Sequence, residues 1–138
     1  MLKLNNLKKR STSKNYLHKI IPKFYSFRQQ LHIYHLQTDN YARHKAADEL
    51  LDALTNFIDE FVEIYSGKYG KVNFKEEMII TLSNLDDQDA TDYLDSMIEY
   101  FIEKLPTYLN SKYDSDLLNL RDEIVATTNK TKYLFTLN

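Results

Sequence analysis

All four histidines of the chain fall within its first 44 residues, at His18, His32, His35 and His44. A series of carboxylates follows at Asp48, Asp52, Asp59 and Glu63. On a helix these four acids and His44 share one stripe roughly 100° wide. Imidazole nitrogen with carboxylate oxygen is a donor set that suits first-row divalent metals such as iron, manganese or zinc. Few Lys or Arg share the stripe, so its acids repel one another on a bare surface. A cation between them would remove that repulsion. A row of acids opposite an apolar face is also what the solvated side of an amphipathic helix looks like, and spacing alone leaves both readings open.

Two further histidines compete for a ligand role. His35 follows Leu31 by one helical turn and sits beside the apolar face. His32 lies roughly 100° round from Leu31, nearer solvent. His35 is therefore the preferred ligand and His32 the alternative, with a hydrogen-bonded core histidine as the competing reading of His35. Other site chemistries fare worse. The chain has no Cys, which excludes disulfides, thiolate zinc sites and thiol catalysis. No Glu-x-x-His pair occurs, so the usual di-iron site inside a bundle is absent. Neither phosphate-binding glycine motif occurs, nor H-E-x-x-H, nor the G-x-S-x-G of a nucleophile elbow. No catalytic residue beyond metal ligands and no organic cofactor site is read.

The elements that must position these residues are helical. With 138 residues, 43% hydrophobic and 28% charged, the chain suits one globular domain. Two Gly and two Pro are too few turn-formers for an all-β fold. From Tyr16 to Leu36 apolar residues recur in steps of three and four, the mark of an amphipathic helix. Pro22 lacks the N–H that a helix interior needs, so the well-formed part is expected to start near Pro22. A second helix runs from about Tyr41 to Ser66, opened by Asp39 or Asn40 and ended by Gly67 and Gly70. Its apolar face is Ala47, Leu50, Leu51, Leu54, Phe57, Ile58, Phe61 and Tyr65. Val72 to Leu85 is less regular, with a short helix over Phe74–Leu82 as one option. Asp86 or Asp87 opens a third helix, with Pro106 near its end, and Asp114 or Ser115 opens a fourth. Four helices with one connection too long for a hairpin predict an all-α, four-helix bundle whose long second-to-third connection crosses its length.

Residues 1–23 carry seven basic side chains and no acid. No apolar stretch follows them, so they do not form a signal peptide. No apolar run approaches the ~18 residues of a membrane span. We read residues 1–15 as a flexible basic arm and 16–138 as the single domain. The arm suits DNA phosphates or an acidic partner, although a net charge of −2 and a pI of about 6.1 argue against a general nucleic-acid binder.

The segment Leu31-His32-Ile33-Tyr34-His35-Leu36, then Tyr41-Ala42-Arg43-His44-Lys45-Ala46, then Asp59 and Glu63, resembles the Dps-like branch of the ferritin-like superfamily. That pattern has a His ending the first helix, a His opening the second, and an Asp-x-x-x-Glu about four turns on. More narrowly, His35-Leu36-Gln37-Thr38, Tyr41-Ala42, His44-Lys45-Ala46 and Gly67-Lys68-Tyr69-Gly70 resemble ferritin-like proteins of tailed phages and large DNA viruses. The chain departs from the pattern at Leu36, usually Trp, and at Ile64, often Arg. Only nine positions separate His35 from His44, whereas His32 would give twelve. The resemblance implies a homo-oligomer with a di-metal site at a two-fold interface, His from one subunit and carboxylates from its mate. It implies His35, His44, Asp59 and Glu63 as ligands, with Asp48 and His32 as further candidates, and iron oxidation and sequestration as the activity. The location it implies is cytoplasmic, that of a host cell, or a virion. The competing expectation is a helical structural or interaction protein of a virion or phage that keeps a vestigial metal site.

Overall fold

The computed structural model describes residues 14–138. Four α-helices form among the described residues: α1 (Leu17–Gln37), α2 (Tyr41–Tyr69), α3 (Asp87–Glu99) and α4 (Ser115–Leu134). No strand occurs among the described residues. A π turn (Tyr100–Lys104) and a 3-10 turn (Leu105–Tyr108) prolong α3. Most of the expected basic arm, up to residue 13, lies outside the described residues. Asn15 belongs to the fold rather than to the arm. Its side-chain amide donates to the Gly70 carbonyl at 2.8 Å, and its Oδ1 accepts from the Leu17 N–H at 2.9 Å.

That contact explains why α1 starts five residues before Pro22 instead of at it. Leu17 and Ile20 are fully buried, Asn15 caps the Leu17 N–H, and the Tyr65 hydroxyl accepts from the Tyr16 N–H at 3.1 Å. Together these outweigh the single hydrogen bond that Pro22 cannot donate. The second helix also differs slightly from its expected bounds. It runs through Gly67 and stops at Gly70, whose φ of 101° lies where a side chain is disfavoured. Its start is as read: Asn40 accepts from the Arg43 N–H at 2.9 Å. Every residue of its expected apolar face is buried.

Contacts fix the direction of each helix. Asn15 and Tyr16 meet Tyr65 to Gly70 while His35 meets His44, so α1 and α2 are antiparallel. Asp87, at the start of α3, is held by Tyr34 and Thr38, and Tyr108 reaches Tyr16 with ring centroids 5.0 Å apart. The α3 unit therefore runs antiparallel to α1, in the same direction as α2. Asp114 meets Tyr69, and Phe135 meets Tyr34, so α4 returns. Residues 70–86 thus connect opposite ends of the molecule without forming a helix. The short helix over Phe74–Leu82 does not form, because most side chains from Asn73 to Asn84 are exposed and bury no apolar face. Gln30 anchors this segment, accepting from the Ser83 N–H at 2.9 Å and donating to its carbonyl.

The core is aromatic where α1, α2 and α3 meet. Phe24 packs edge-on against Phe57 and Phe61, with centroids 5.1 and 5.2 Å away. Tyr100 packs 5.4 Å from Phe27, and burial pushes its phenol well above the ordinary range, with Tyr108 adding to the rise. Its hydroxyl is buried with no hydrogen-bond partner among the described residues. Tyr100→Phe is therefore expected to raise stability by about 1 kcal/mol, since it removes an unsatisfied polar atom and keeps the ring. Urea denaturation of the two proteins measures this directly.

Candidate metal centre

The turn between α1 and α2 spans only Thr38, Asp39 and Asn40. Asn40 N–H donates to Thr38 Oγ1 at 3.1 Å, which tightens the corner. This brings the last turn of α1 onto the first turn of α2 and places His35 against His44. The two rings stack with centroids 3.9 Å apart and planes 17° from parallel. Each ring also binds the other residue's backbone. His35 Nδ1 lies 2.9 Å from the His44 carbonyl, and His44 Nδ1 lies 2.8 Å from the His35 carbonyl. A carbonyl only accepts, so each Nδ1 carries the proton. In the neutral ring the lone pair is then on Nε2, the nitrogen left to bind a metal.

The rings extend into a short series. His32, exposed, lies 6.0 Å from His35, and Tyr41 lies 6.4 Å from His44. His32 thus stands at the edge of the pair and takes no part in the mutual clasp. The expected carboxylates lie on the outer face of α2. Asp48, Asp52, Asp59 and Glu63 are all exposed, and among the described residues none has an ion-pair partner. Asp48 is one turn from His44. Asp59 and Glu63 lie about 22 and 28 Å further along the helix axis than His44. One chain therefore does not gather the set. Among the described residues no three His, Asp or Glu side chains come together to hold a metal ion. On the same outer face Arg28 Nε donates to Thr55 Oγ1 at 2.7 Å and ties α1 to α2. Three large side chains there are exposed, Tyr25, Leu36 and Tyr41, the last at 74%.

Behind the histidines sits a network that sequence reasoning missed. Arg43 donates to the Tyr34 hydroxyl at 2.9 Å and to the Asp87 carbonyl at 2.7 Å. Its guanidinium lies 4.9 Å from the centre of the Phe135 ring. The Tyr34 hydroxyl donates to the Asp87 carboxylate at 2.7 Å, and Thr38 adds a second bond at 2.9 Å. The Tyr34 hydrogen bond is the main cause that holds the Asp87 carboxyl below its usual range. Burial raises the Tyr34 phenol, partly offset by Arg43. This network binds all four helices at the end that carries His35 and His44, so the corner rests on a rigid base. The only signal available in sequence was Arg43 itself, next to a candidate ligand.

A second missed group lies at the far end. Asp114 stands at the start of α4, yet its side chain makes no cap hydrogen bond. It is fully buried instead. It accepts from the Tyr69 hydroxyl, from the Asn110 N–H at 2.7 Å and from Lys68 at 3.2 Å. Burial pushes this carboxyl up, but those hydrogen bonds and the Lys68 charge together hold it below the usual carboxylate range.

No described helix is long and apolar enough to cross a membrane. No curated protein and no solved structure matches the chain. A family of unknown function (DUF5856) matches residues 35–135. That span includes His35, His44, Asp48, Asp59 and Glu63, and it leaves out His32. Since it takes in most of the sequence, the chain belongs to the DUF5856 family.

Proposed function

We propose that this chain is a ferritin-like four-helix bundle with a long crossover between α2 and α3, and that it acts as a Dps-like iron-binding protein. Iron(II) is the substrate, taken up and oxidised at a di-metal site shared by two copies. The observation that carries this reading is the mutual clasp of His35 and His44. It fixes both tautomers and leaves two Nε2 lone pairs, with Asp48 one helical turn on from His44.

The donors of one chain are too few, so the fit depends on a second copy. A two-fold axis near the middle of the outer face of α2 would set His44 of one chain against Asp59 and Glu63 of its mate, and generate two equivalent sites. The exposed Tyr25, Leu36 and Tyr41 suit burial in such an interface. Pairing would also give the row of acids a cation to neutralise it. His35, His44 and Asp48 from one side with Asp59 and Glu63 from the other make a mixed nitrogen and oxygen set of the kind iron accepts. His32 is placed to join only as an outer contact of His35.

Oxidation of iron(II) by the purified protein tests this. Iron(II) is added without oxygen and then challenged with peroxide. The expected result is a rate well above buffer that falls to the buffer rate in His44→Ala and in Glu63→Ala, with the helical content of both variants unchanged. No rate above buffer would leave the second reading, a helical interaction protein with a vestigial site, which the same exposed Tyr25, Leu36 and Tyr41 also suit.

A further inference from the structure

A cavity of about 490 Å³ opens where the start of α1 meets the segment after α2, at the opposite end of the molecule from His35 and His44. Lys14, Asn15 and His18 form one side of it, and Lys71, Asn73, Phe74, Lys75, Glu76 and Met78 the other. Three lysines and one glutamate thus line it, with the Lys14 ammonium 5.5 Å from the centre of the neighbouring Tyr16 ring. Among the described residues neither Lys71 nor Lys75 has an ion-pair partner. Phe74 and Met78 are 41% and 49% exposed, although they sit in the wall of a cavity and not on a packed face. The two sides are held in fixed relation. Asn15 donates to the Gly70 carbonyl at 2.8 Å, with the Tyr69 and Lys71 carbonyls at 3.3 and 3.4 Å.

The chemistry of this cavity is cationic at its rim and apolar on one wall, and its volume is that of an ordinary small-ligand site. Lysine is a common phosphate-binding side chain. An aromatic ring with one open face stacks on a planar heterocycle. We propose that the cavity binds a mononucleotide-type anion, with the phosphate held by Lys14, Lys71 and Lys75 and the base laid against Phe74 and Met78. The two halves of the ligand answer to different residues, which makes the assignment testable. This proposal goes beyond the iron reading and does not depend on it.

Titration calorimetry on the full chain, with AMP, adenosine and inorganic phosphate as probes at low salt, tests it. AMP is expected to bind saturably and about tenfold tighter than inorganic phosphate, as one stacked base contributes. Lys71→Ala/Lys75→Ala should weaken AMP and phosphate alike, by about tenfold or more. Phe74→Ala should bring AMP to the phosphate level and leave phosphate unchanged. Lys8→Ala/Lys9→Ala/Arg10→Ala should leave AMP binding unchanged. All the substituted side chains around the cavity are exposed, and an unchanged thermal melt confirms that each variant is folded. The proposal is overturned by absence of saturable AMP binding, by AMP no tighter than phosphate, or by loss of binding in the Lys8/Lys9/Arg10 variant with the cavity variants unaffected. A single-stranded oligonucleotide that binds far tighter than AMP, with a steep salt dependence, would also overturn it in favour of a nucleic-acid surface.

Discussion

Mixing two inactive variants is expected to restore iron oxidation. In His44→Ala every shared site loses an imidazole, and in Glu63→Ala every shared site loses a carboxylate, so each homodimer is inactive. A dimer of one His44→Ala chain with one Glu63→Ala chain differs. One of its two sites then carries both substitutions, and the other carries neither. Random pairing of equal amounts makes half the dimers mixed, so about one quarter of the wild-type sites return. Co-expression with two different tags, followed by tandem purification, isolates the mixed species and raises the figure to about one half. The distance along α2 from His44 to Glu63 is what makes this test decisive. Two residues about 28 Å apart on one helix cannot serve the same metal ion within a chain. Recovery to the buffer level only, from folded mixed dimers, would exclude a shared site.

Asp114→Ala is expected to destabilise the fold by about 3 kcal/mol, because it removes the buried acceptor shared by the Tyr69 hydroxyl, the Asn110 N–H and Lys68 and leaves a gap in its place. Lys68 also meets Asp116, whose side chain is half exposed. Asp116→Ala should cost less than about 0.5 kcal/mol, although it touches the same lysine. The pH dependence reports on Asp114 as well. The folded carboxyl of Asp114 titrates below its unfolded value, so the folded state holds fewer protons than the unfolded state across that window. Its contribution is fully present above about pH 4, the unfolded carboxylate range. It is lost as pH falls through the lower, folded value. Urea midpoints of wild type should therefore drop on acidification below about pH 4, and those of Asp114→Asn should drop less.

Helix existence and the buried faces were legible because they depend on periodicity within one element. Ala47 through Tyr65 is the clearest case: every third or fourth residue is apolar, and each one is buried. The start of α1 was not legible. It depends on Asn15 reaching Gly70, more than fifty residues away in sequence, and no local pattern encodes that contact. Asp114 misled for a related reason. An acid before a helix reads as a cap, but Tyr69 and Lys68 arrive from another element and draw the carboxylate inward. At the candidate site, His35 and His44 were legible as residue types with a preference over His32. Their mutual clasp was not, since it arises from the geometry of the Thr38–Asn40 corner. The Arg43 network was invisible too, because its partners Asp87 and Phe135 lie at the start of α3 and just past the end of α4.

The strap of residues 70–86 decides how this chain is wired. A short turn after α2 would force α3 to run back antiparallel to it. The strap instead carries the chain the length of the molecule, so α3 begins where α2 began. The chain is then two hairpins, α1–α2 and α3–α4, zipped together by contacts distant in sequence. Loop-closure entropy grows only logarithmically with length, about 0.6 kcal/mol for each doubling. The strap's length is therefore nearly neutral for stability, while its span sets the direction in which α3 runs. Sequence change along its exposed middle costs little in stability outside the cavity residues Lys71, Phe74, Lys75 and Met78, provided that the anchors at Gln30 and Asn15 and the Asp86 cap that opens α3 remain.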